Sequence, residues 1–235
     1  MSAVTETTCP HICYQSPIVL EHECEVYKKM PLYLSGRNRG AVYNTTNRIF
    51  EVKDEITMKH LFKKYRLLEY HFHVPGEHNI NYKIYNAELH YVFQEIDKFD
   101  SDSDTASESD DDKDRNNINT ESLDICGCGG NRPNSILNIL VLSRVITHVK
   151  SHNKWHVENL RKIQVDLPSY YFEYDGSIIG GGNNYMPVRW LVGDDPILFD
   201  AEQLKPFAKS ARSLQNKDGR QLLYCINDCE HLDIY

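Results

Sequence analysis

The sequence predicts a mainly β protein built around an antiparallel sheet, because short strand patterns outnumber helical ones. Residues 66–74 and residues 85–93 each alternate in polarity with the period of a strand that has one buried face. Pro75 and Gly76 mark a turn between them, so the two strands are expected to form a hairpin-like pair. Residues 136–145, ILNILVLSRV, are nearly all apolar and predict a buried strand.

The later part of the chain adds short helices and one further strand. Residues 148–160 place three histidines at four-residue intervals, which predicts an amphipathic helix whose histidines face solvent rather than a metal. Residues 188–192, VRWLV, predict a strand that ends in a turn at residues 193–196. Residues 201–212 predict a short helix.

Composition limits the number of domains and the class of partner. The chain has 235 residues, of which 40% are hydrophobic and 26% charged, and this predicts a single domain over residues 1–235. The net charge of −8 argues against a nucleic-acid partner, because no basic stripe is present to neutralise phosphates. No apolar run reaches the length of a membrane span, and the N-terminus lacks the features of a signal peptide. A cytoplasmic or otherwise intracellular location is therefore expected.

An acidic segment interrupts the strand patterns at residues 98–134. It contains few apolar residues and many Asp, Ser, Asn and Gly residues, so it cannot bury enough surface to offset the entropy lost on ordering. We expect a disordered insertion within the domain. Its serines lie among acidic residues, as in acid-directed kinase sites, but a solvated loop that repels itself is the favoured interpretation. No particular protein partner is indicated for it.

The stretch EYHFHVPGEH contains the strongest candidate for a metal site. His71 and His73 lie two residues apart on one predicted strand and point to the same side, and His90 lies on the partner strand. Three neutral imidazoles with an open fourth position are typical of catalytic zinc, where a bound water has a pKa of about 7. Glu69 and Glu88 each precede one of these histidines by two residues and are placed to accept its other ring N–H. Histidines that face solvent on two polar strands are the alternative interpretation.

This stretch, followed by NINYKIYNAELHYVF, resembles the zinc-site signature of the α-class carbonic anhydrases. Residues 15–18, QSPI, resemble a box near that family's N-terminus, and residues 167–177, LPSYYFEYDGS, resemble the segment that leads into its active-site wall. Trp190 is similar to the tryptophan of the next strand, and residues 197–207 are similar to a later PI…EQL..F segment. The resemblance extends from residue 15 to residue 207 and is interrupted only by the acidic insertion.

The resemblance implies a twisted, largely antiparallel central sheet with a few short peripheral helices and a conical cleft. It implies a zinc ion (Zn2+) held by His71, His73 and His90, and a reaction that hydrates CO2 reversibly to bicarbonate. Glu77 corresponds to the buried glutamate that orients the attacking hydroxide through a threonine hydroxyl, and Glu88 lies behind His90. The implied substrate pocket is formed by Val92, Asn138, Ile178, Ile179, Val188 and Trp190.

Four positions depart from the family's pattern. Ile179 stands at the place of the hydroxide-orienting threonine, and loss of one such hydrogen bond costs on the order of a hundred- to a thousand-fold in rate. Residues 43–48 contain no histidine that could carry protons out of the cleft. Asn138 puts an amide where the family has an apolar wall residue. Glu69 replaces a neutral glutamine behind His71, which predicts tighter zinc binding and a less acidic bound water.

Two classes of function follow from this pattern. The first is a zinc lyase, a carbonic anhydrase of reduced activity, and the complete set of metal ligands favours it. The second is a catalytically silent carbonic anhydrase-like binding protein that retains zinc and recognises a macromolecule, for example at a cell surface. The negative net charge disfavours a glycosaminoglycan as that macromolecule. The enzyme is the favoured prediction.

Overall fold

The computed structural model describes residues 15–22, 27–96, 138–151, 156–179 and 185–228. All of these residues belong to one compact unit, made of Met1–Ile96 and Leu137–Tyr235. The predicted acidic insertion at residues 98–134 lies outside the described residues, so its disorder and the single-domain organisation of residues 1–235 stay predictions.

The described residues form a mainly β fold with two short helices, which confirms the predicted fold class. The helices are α1 (Val157–Leu160) and α2 (Ala201–Leu204), and a 3₁₀ turn follows at Lys205–Phe207. Among the described residues, no helix combines the length and the apolar character needed to cross a bilayer. The strands are β1 (Val19–Leu20), β2 (Tyr27–Lys29), β3 (Tyr33–Ser35), β4 (Val42–Asn44), β5 (Ile49–Glu51), β6 (Thr57–His60), β7 (Lys63–His73), β8 (Asn79–Ile80), β9 (Lys83–Ile84), β10 (Ala87–Glu95), β11 (Ile139–His148), β12 (Tyr170–Ile179), β13 (Tyr185–Phe199) and β14 (Leu223–Ile226).

One large sheet dominates the described part of the chain. Its strand order is β2-β14-β12-β13-β11-β10-β7-β5-β4, and β6 joins β7 to β3. Most neighbours are antiparallel, whereas β11 pairs with β13 and β14 pairs with β2 in parallel. A small second sheet has the order β1-β8-β9. Strands β7, β10 and β11 are neighbours in the middle of the large sheet, so the residues they carry are held from both sides.

Two predicted elements are wrong, and a third, the helix over residues 201–212, is shortened to α2 and the 3₁₀ turn that ends at Phe207. The predicted turn at residues 193–196 lies within β13, which continues to Phe199. The strand stays paired with β11 on both sides of these residues because the register of the pairing shifts between Arg144 and Ile146. The predicted helix at residues 148–160 is reduced to α1, because His148 ends β11 as the partner of Phe199. Residues 152–155 lie outside the described part of the chain.

Apolar side chains cover both faces of the large sheet. Phe72 and Leu191 belong to one buried cluster, and Val141 and Trp190 belong to a second. Trp190 and Leu191 are neighbours in sequence and are both fully buried, so β13 is covered on its two faces. Burial on both faces explains why residues 190–192 of this strand, WLV, are consecutively apolar rather than alternating.

Leu191→Ala is expected to lower the free energy of unfolding by about 2–5 kcal/mol, because it removes buried methyl groups and leaves a cavity. Leu198→Ala is the matched control on the same strand, since Leu198 is 63% exposed whereas Leu191 is 0% exposed, and it is expected to change stability by about 0.5 kcal/mol or less. Urea denaturation of both variants measures the difference. Equal losses would contradict the burial assigned to this strand.

Candidate metal centre

Strands β7 and β10 bring three histidines to one place. Their antiparallel register sets His90 opposite His71, and alternate residues of a strand point to the same face. The ring centroids lie 5.1 Å apart for His71 and His73, 5.3 Å apart for His71 and His90, and 4.8 Å apart for His73 and His90. One nitrogen from each ring lies within 4.8 Å of the others, and all three residues are buried. The structure thus groups the three histidines that the sequence singles out.

The second nitrogen of each ring faces an acceptor in the protein. His73 Nδ1 lies 3.0 Å from the carbonyl oxygen of Ser210, and because a carbonyl can only accept, this nitrogen carries the proton. In the same way His90 Nε2 donates to Glu88 Oε1 over 2.8 Å. His71 Nδ1 is 3.3 Å from Glu69 Oε1 without hydrogen-bond geometry. The atoms that remain as ligands are therefore Nε2 of His71, Nε2 of His73 and Nδ1 of His90.

Burial keeps the rings of His71 and His73 in the neutral form that binds metals. Desolvation lowers the pKa of His71 well below its ordinary value, and the nearby charge of Lys209 lowers it further. Desolvation is also the largest cause that lowers the pKa of His73, to about 4. An unprotonated imidazole is the form that ligates a metal, and nitrogen donors of this kind suit zinc, copper, iron and nickel. The donor set therefore fits a divalent transition metal.

Glu88 is a fully buried carboxylate that receives several hydrogen bonds. Its Oε2 accepts from the backbone N–H groups of Glu77 at 2.7 Å and of His78 at 2.8 Å. Its Oε1 accepts from His90 and from the hydroxyl of Ser143, and the His78 ring donates to the same oxygen. Burial alone would raise the pKa of Glu88, but electrostatic attraction to the His78 and His90 rings and their hydrogen bonds hold it well below its ordinary value. Glu88 is therefore ionised and fixes the orientation of the His90 ring.

His78, Glu88 and His90 also lie close enough together to form a second candidate group for a metal ion. Their polar atoms are already bonded to one another, and His78 Nε2 lies 2.7 Å from the hydroxyl of Tyr174. Because the hydroxyl donates to Nε2 while Nδ1 donates to Glu88, both ring nitrogens of His78 are occupied. This group therefore supports the histidine cluster rather than forming a separate metal site.

Glu77 is buried beside His73 and is held by Arg212. The backbone N–H and Nε of Arg212 each donate to Glu77 Oε1 over 2.9 Å, and its NH2 donates to Oε2 over 2.6 Å. His73 Nδ1 lies 3.2 Å from Oε1. Burial raises the pKa of Glu77, but the hydrogen bonds and charge of Arg212 and the neighbouring histidines outweigh it and lower the pKa to about 2. No sequence pattern indicates Arg212 as the partner, because 135 positions separate the two residues.

Four residues of the predicted pocket lie on strands around the histidines. Val92 follows His90 by two positions on β10 and is 7% exposed. Val188 and Trp190 are fully buried in one apolar cluster, and Ile178 packs against it. The Trp190 ring lies 5.0 Å from the His90 ring. The structure thus brings this apolar set towards the histidines.

The remaining two pocket residues have different outcomes. The backbone of Ile179 ends β12 opposite Tyr185, and its side chain lies outside the described part of the structure. Asn138 is not brought to the pocket: it is exposed, it precedes β11, and its carbonyl accepts from the backbone N–H of Glu95. The register places Val141, not Asn138, opposite Val92. The predicted position was wrong because a strand's register depends on its partner strand and is not fixed by local spacing.

The sequence model of the eukaryotic-type carbonic anhydrase family matches residues 4–225 of the chain. The chain belongs to this family. No curated protein sequence was found to match this chain.

Carbonic anhydrases are also found among the solved structures that share its fold. An α-carbonic anhydrase from Photobacterium profundum has a TM-score of 0.60 at 20% identity, with 92% of this chain and 91% of that chain covered. Carbonic anhydrase Cah3 from Chlamydomonas reinhardtii, solved with acetazolamide, has a TM-score of 0.60 at 17% identity and covers 95% and 97%. The α-carbonic anhydrase from Thermovibrio ammonificans, solved with sulfanilamide, has a TM-score of 0.53 at 20% identity and covers 89% and 86%. Because the sequence identities are this low, the structural similarity shows only that the fold is shared.

Arg212→Met is expected to lower the free energy of unfolding by about 3 kcal/mol near neutral pH, because it leaves a buried carboxylate of the carbonic anhydrase site without its charged partner. The pKa of Glu77 in the folded protein, about 2, lies below its ordinary value of 4.5. Stabilisation by the pair is therefore present above about pH 4.5 and is lost as the pH falls towards the folded pKa. Urea denaturation across this pH range should show a deficit that shrinks in acid.

Lys205→Met provides the control for this change. Lys205 pairs with Glu202, but both side chains are more than half exposed, and exposed pairs contribute about 0–1 kcal/mol. A deficit of Arg212→Met that is independent of pH, or no larger than that of the control, would contradict the role given to the Glu77–Arg212 pair.

Proposed function

We propose that this chain is a zinc-dependent carbonic anhydrase that hydrates CO2 reversibly to bicarbonate, with reduced activity. The observation that carries the proposal is the group of His71, His73 and His90, in which one nitrogen of each ring is free to ligate while the other faces an acceptor. Membership of the carbonic anhydrase family supports the same reaction.

The residues of the proposed site would have separate roles. When bound, zinc would lower the pKa of a coordinated water to about 7. His71 and His73 would hold the ion through Nε2, and His90 through Nδ1. Glu88 would keep the proton of His90 on Nε2, so that Nδ1 remains a ligand. Glu77, ionised and held by Arg212, would be the acceptor for a hydroxyl that orients the attacking oxygen.

An apolar wall supports CO2 rather than a polar molecule as the substrate. Val92 and Val141 face each other across β10 and β11, and Val188, Trp190 and Ile178 lie in or against the cluster that contains Val141. CO2 has no net charge and donates no hydrogen bond, so a wall of this kind can hold it without desolvating a charged group. Ile179 is proposed as a further member of this wall.

The reduction in activity is inferred from two positions. Ile179 has no hydroxyl with which to link Glu77 to the attacking oxygen, and a missing link of this type costs on the order of a hundred- to a thousand-fold in rate. Residues 43–48 contain no histidine, so a proton would leave through water or buffer, which is slower than transfer through a positioned base.

His90→Ala is expected to lose both zinc and CO2 hydration, because it removes one of three ligands. The measurement is the rate of CO2 hydration by protein whose zinc content has been determined on the same sample. His156→Ala is the control, since His156 is exposed and lies before α1, away from the ligand group, and it is expected to keep both properties. Wild-type protein that binds zinc in a one-to-one ratio but does not hydrate CO2 above buffer would support the silent, zinc-retaining binding protein instead.

Ile179→Thr is expected to raise the hydration rate of zinc-loaded protein by on the order of a hundredfold, because it restores a hydroxyl between Glu77 and the attacking oxygen. Ile179→Val, which changes the volume without adding a hydroxyl, should leave the rate near that of the wild type. If both variants change the rate equally, the missing hydroxyl does not limit the activity.

A further inference from the structure

The turn between β6 and β7 exposes two large apolar side chains at its apex. Phe62 is 92% exposed and Leu61 is 53% exposed. Strand pairing ends where His60 lies opposite Lys63, so these two residues form the whole turn. Phe62 is the most exposed large hydrophobic side chain in the part of the chain that the structure describes. Exposure of adjacent apolar side chains is unfavourable in water and often marks a contact surface.

The same hairpin has two features that do not favour its folding. Lys59 lies directly opposite Lys64, and like charges in facing positions of a sheet destabilise the pairing. Leu61 has a φ of 54°, a left-handed conformation that glycine adopts at much lower cost. Both features therefore need a reason other than the stability of the hairpin.

Basic side chains and one tyrosine surround the apex. Lys59, Lys64 and Arg66 are exposed, and none of them has an ion-pair partner among the described residues. Lys63, by contrast, is held in an ion pair at the end of β10. The register of β3 with β6 places Tyr33 beside Lys59, and Tyr33 is 45% exposed. The apolar apex of the hairpin is therefore followed by three basic side chains and one tyrosine.

We propose that the β6–β7 hairpin docks on the surface of an anionic lipid bilayer. Leu61 and Phe62 enter the boundary between headgroups and acyl chains, and Lys59, Lys64 and Arg66 lie against lipid phosphates. Apolar side chains flanked by lysine, arginine and tyrosine are typical of segments that bind at this boundary. Each lysine or arginine close to an anionic surface strengthens binding by about fivefold.

The shape of the hairpin favours a bilayer over a protein as the partner. A two-residue apex is narrow and convex, whereas a stable protein interface buries about 800 Å² on each side. Lipids rearrange around a small inserted tip, so a bilayer needs no complementary pocket. The net charge of the whole chain is −8, but attraction to a surface depends on charges within a Debye length of about 8–10 Å. Unpaired cations at the apex can therefore act although the chain is acidic.

Docking at this hairpin goes beyond the proposed reaction and does not depend on it. Lys63 begins β7 and His71 lies near its other end, and the rise along a strand separates these two positions by about 25 Å. The hairpin can therefore contact a bilayer while the metal centre stays accessible. A variant of the hairpin should accordingly leave the zinc content unchanged.

The test is co-sedimentation of the full chain with vesicles of phosphatidylcholine, with and without phosphatidylserine. We expect binding to vesicles that contain phosphatidylserine and about twenty-five-fold weaker binding to phosphatidylcholine alone, which is what two basic residues contribute at about fivefold each. Binding should weaken as salt is raised to about 0.15 M. The double variant Lys59→Glu/Lys64→Glu should reduce binding to the anionic vesicles by about twenty-five-fold or more, because it removes two basic residues. Phe62→Ser should reduce it by about fivefold or more, because it removes an apolar side chain from the boundary. Circular dichroism and zinc content confirm that the variants are folded.

Matched controls lie elsewhere on the surface. Leu198→Ser changes an apolar residue that is 63% exposed, and Lys162→Glu reverses an exposed charge; both are expected to bind like the wild type. Vesicle binding that none of the hairpin variants reduces would overturn the proposal, as would an absence of binding at low salt. Retention on heparin without binding to vesicles would assign the basic residues to a polysaccharide and would also overturn it.

Discussion

The buried carboxylate of Glu88 constrains the rest of the centre. A buried charge is tolerated only when its hydrogen-bonding capacity is used, and the donors to Glu88 come from three separate parts of the chain. They are the backbone and the His78 ring after the Pro75–Gly76 turn, the His90 ring on its own strand, and the Ser143 hydroxyl on β11. Only when all three are assembled is the charge satisfied. The position of the His90 ring is therefore coupled to the completion of the central sheet.

Local periodicity was sufficient to identify the strands that carry the histidines. Alternation in residues 66–74 and 85–93 marks which side chains share a face, and this property belongs to each strand alone. Contacts between distant segments left no such pattern. Arg212 reaches Glu77 from a segment without regular structure, and Ser143 is one polar residue in an apolar strand. Asn138 was misplaced for the same reason, because the register of β11 follows from its neighbours and not from its own sequence.

The proposed metal ligands and the proposed activating position lie on different structural elements in this member of the carbonic anhydrase family. The three histidines and Glu88 lie on β7 and β10, paired strands in the middle of the sheet. Ile179 lies at the end of β12, next to residues beyond the described part of the chain. A change in that segment can alter the orientation of a reactant while the ligand geometry is unaffected. Under the proposed function, this separation would let the chain keep the histidine group while its rate of CO2 hydration changes.

The pairing of β10 with β11 has a consequence for how this domain can change in length. Gln94 lies opposite Ile139, and the backbone of Glu95 is bonded to that of Asn138, so the chain leaves the sheet and returns to it at adjacent points. When the ends are fixed in this way, doubling the length of the connecting chain costs only about 0.6 kcal/mol in closure entropy. The connection between β10 and β11 can therefore lengthen, shorten or be exchanged for another sequence without displacing the histidines. Such a position suits the insertion of an unrelated peptide or a reporter domain.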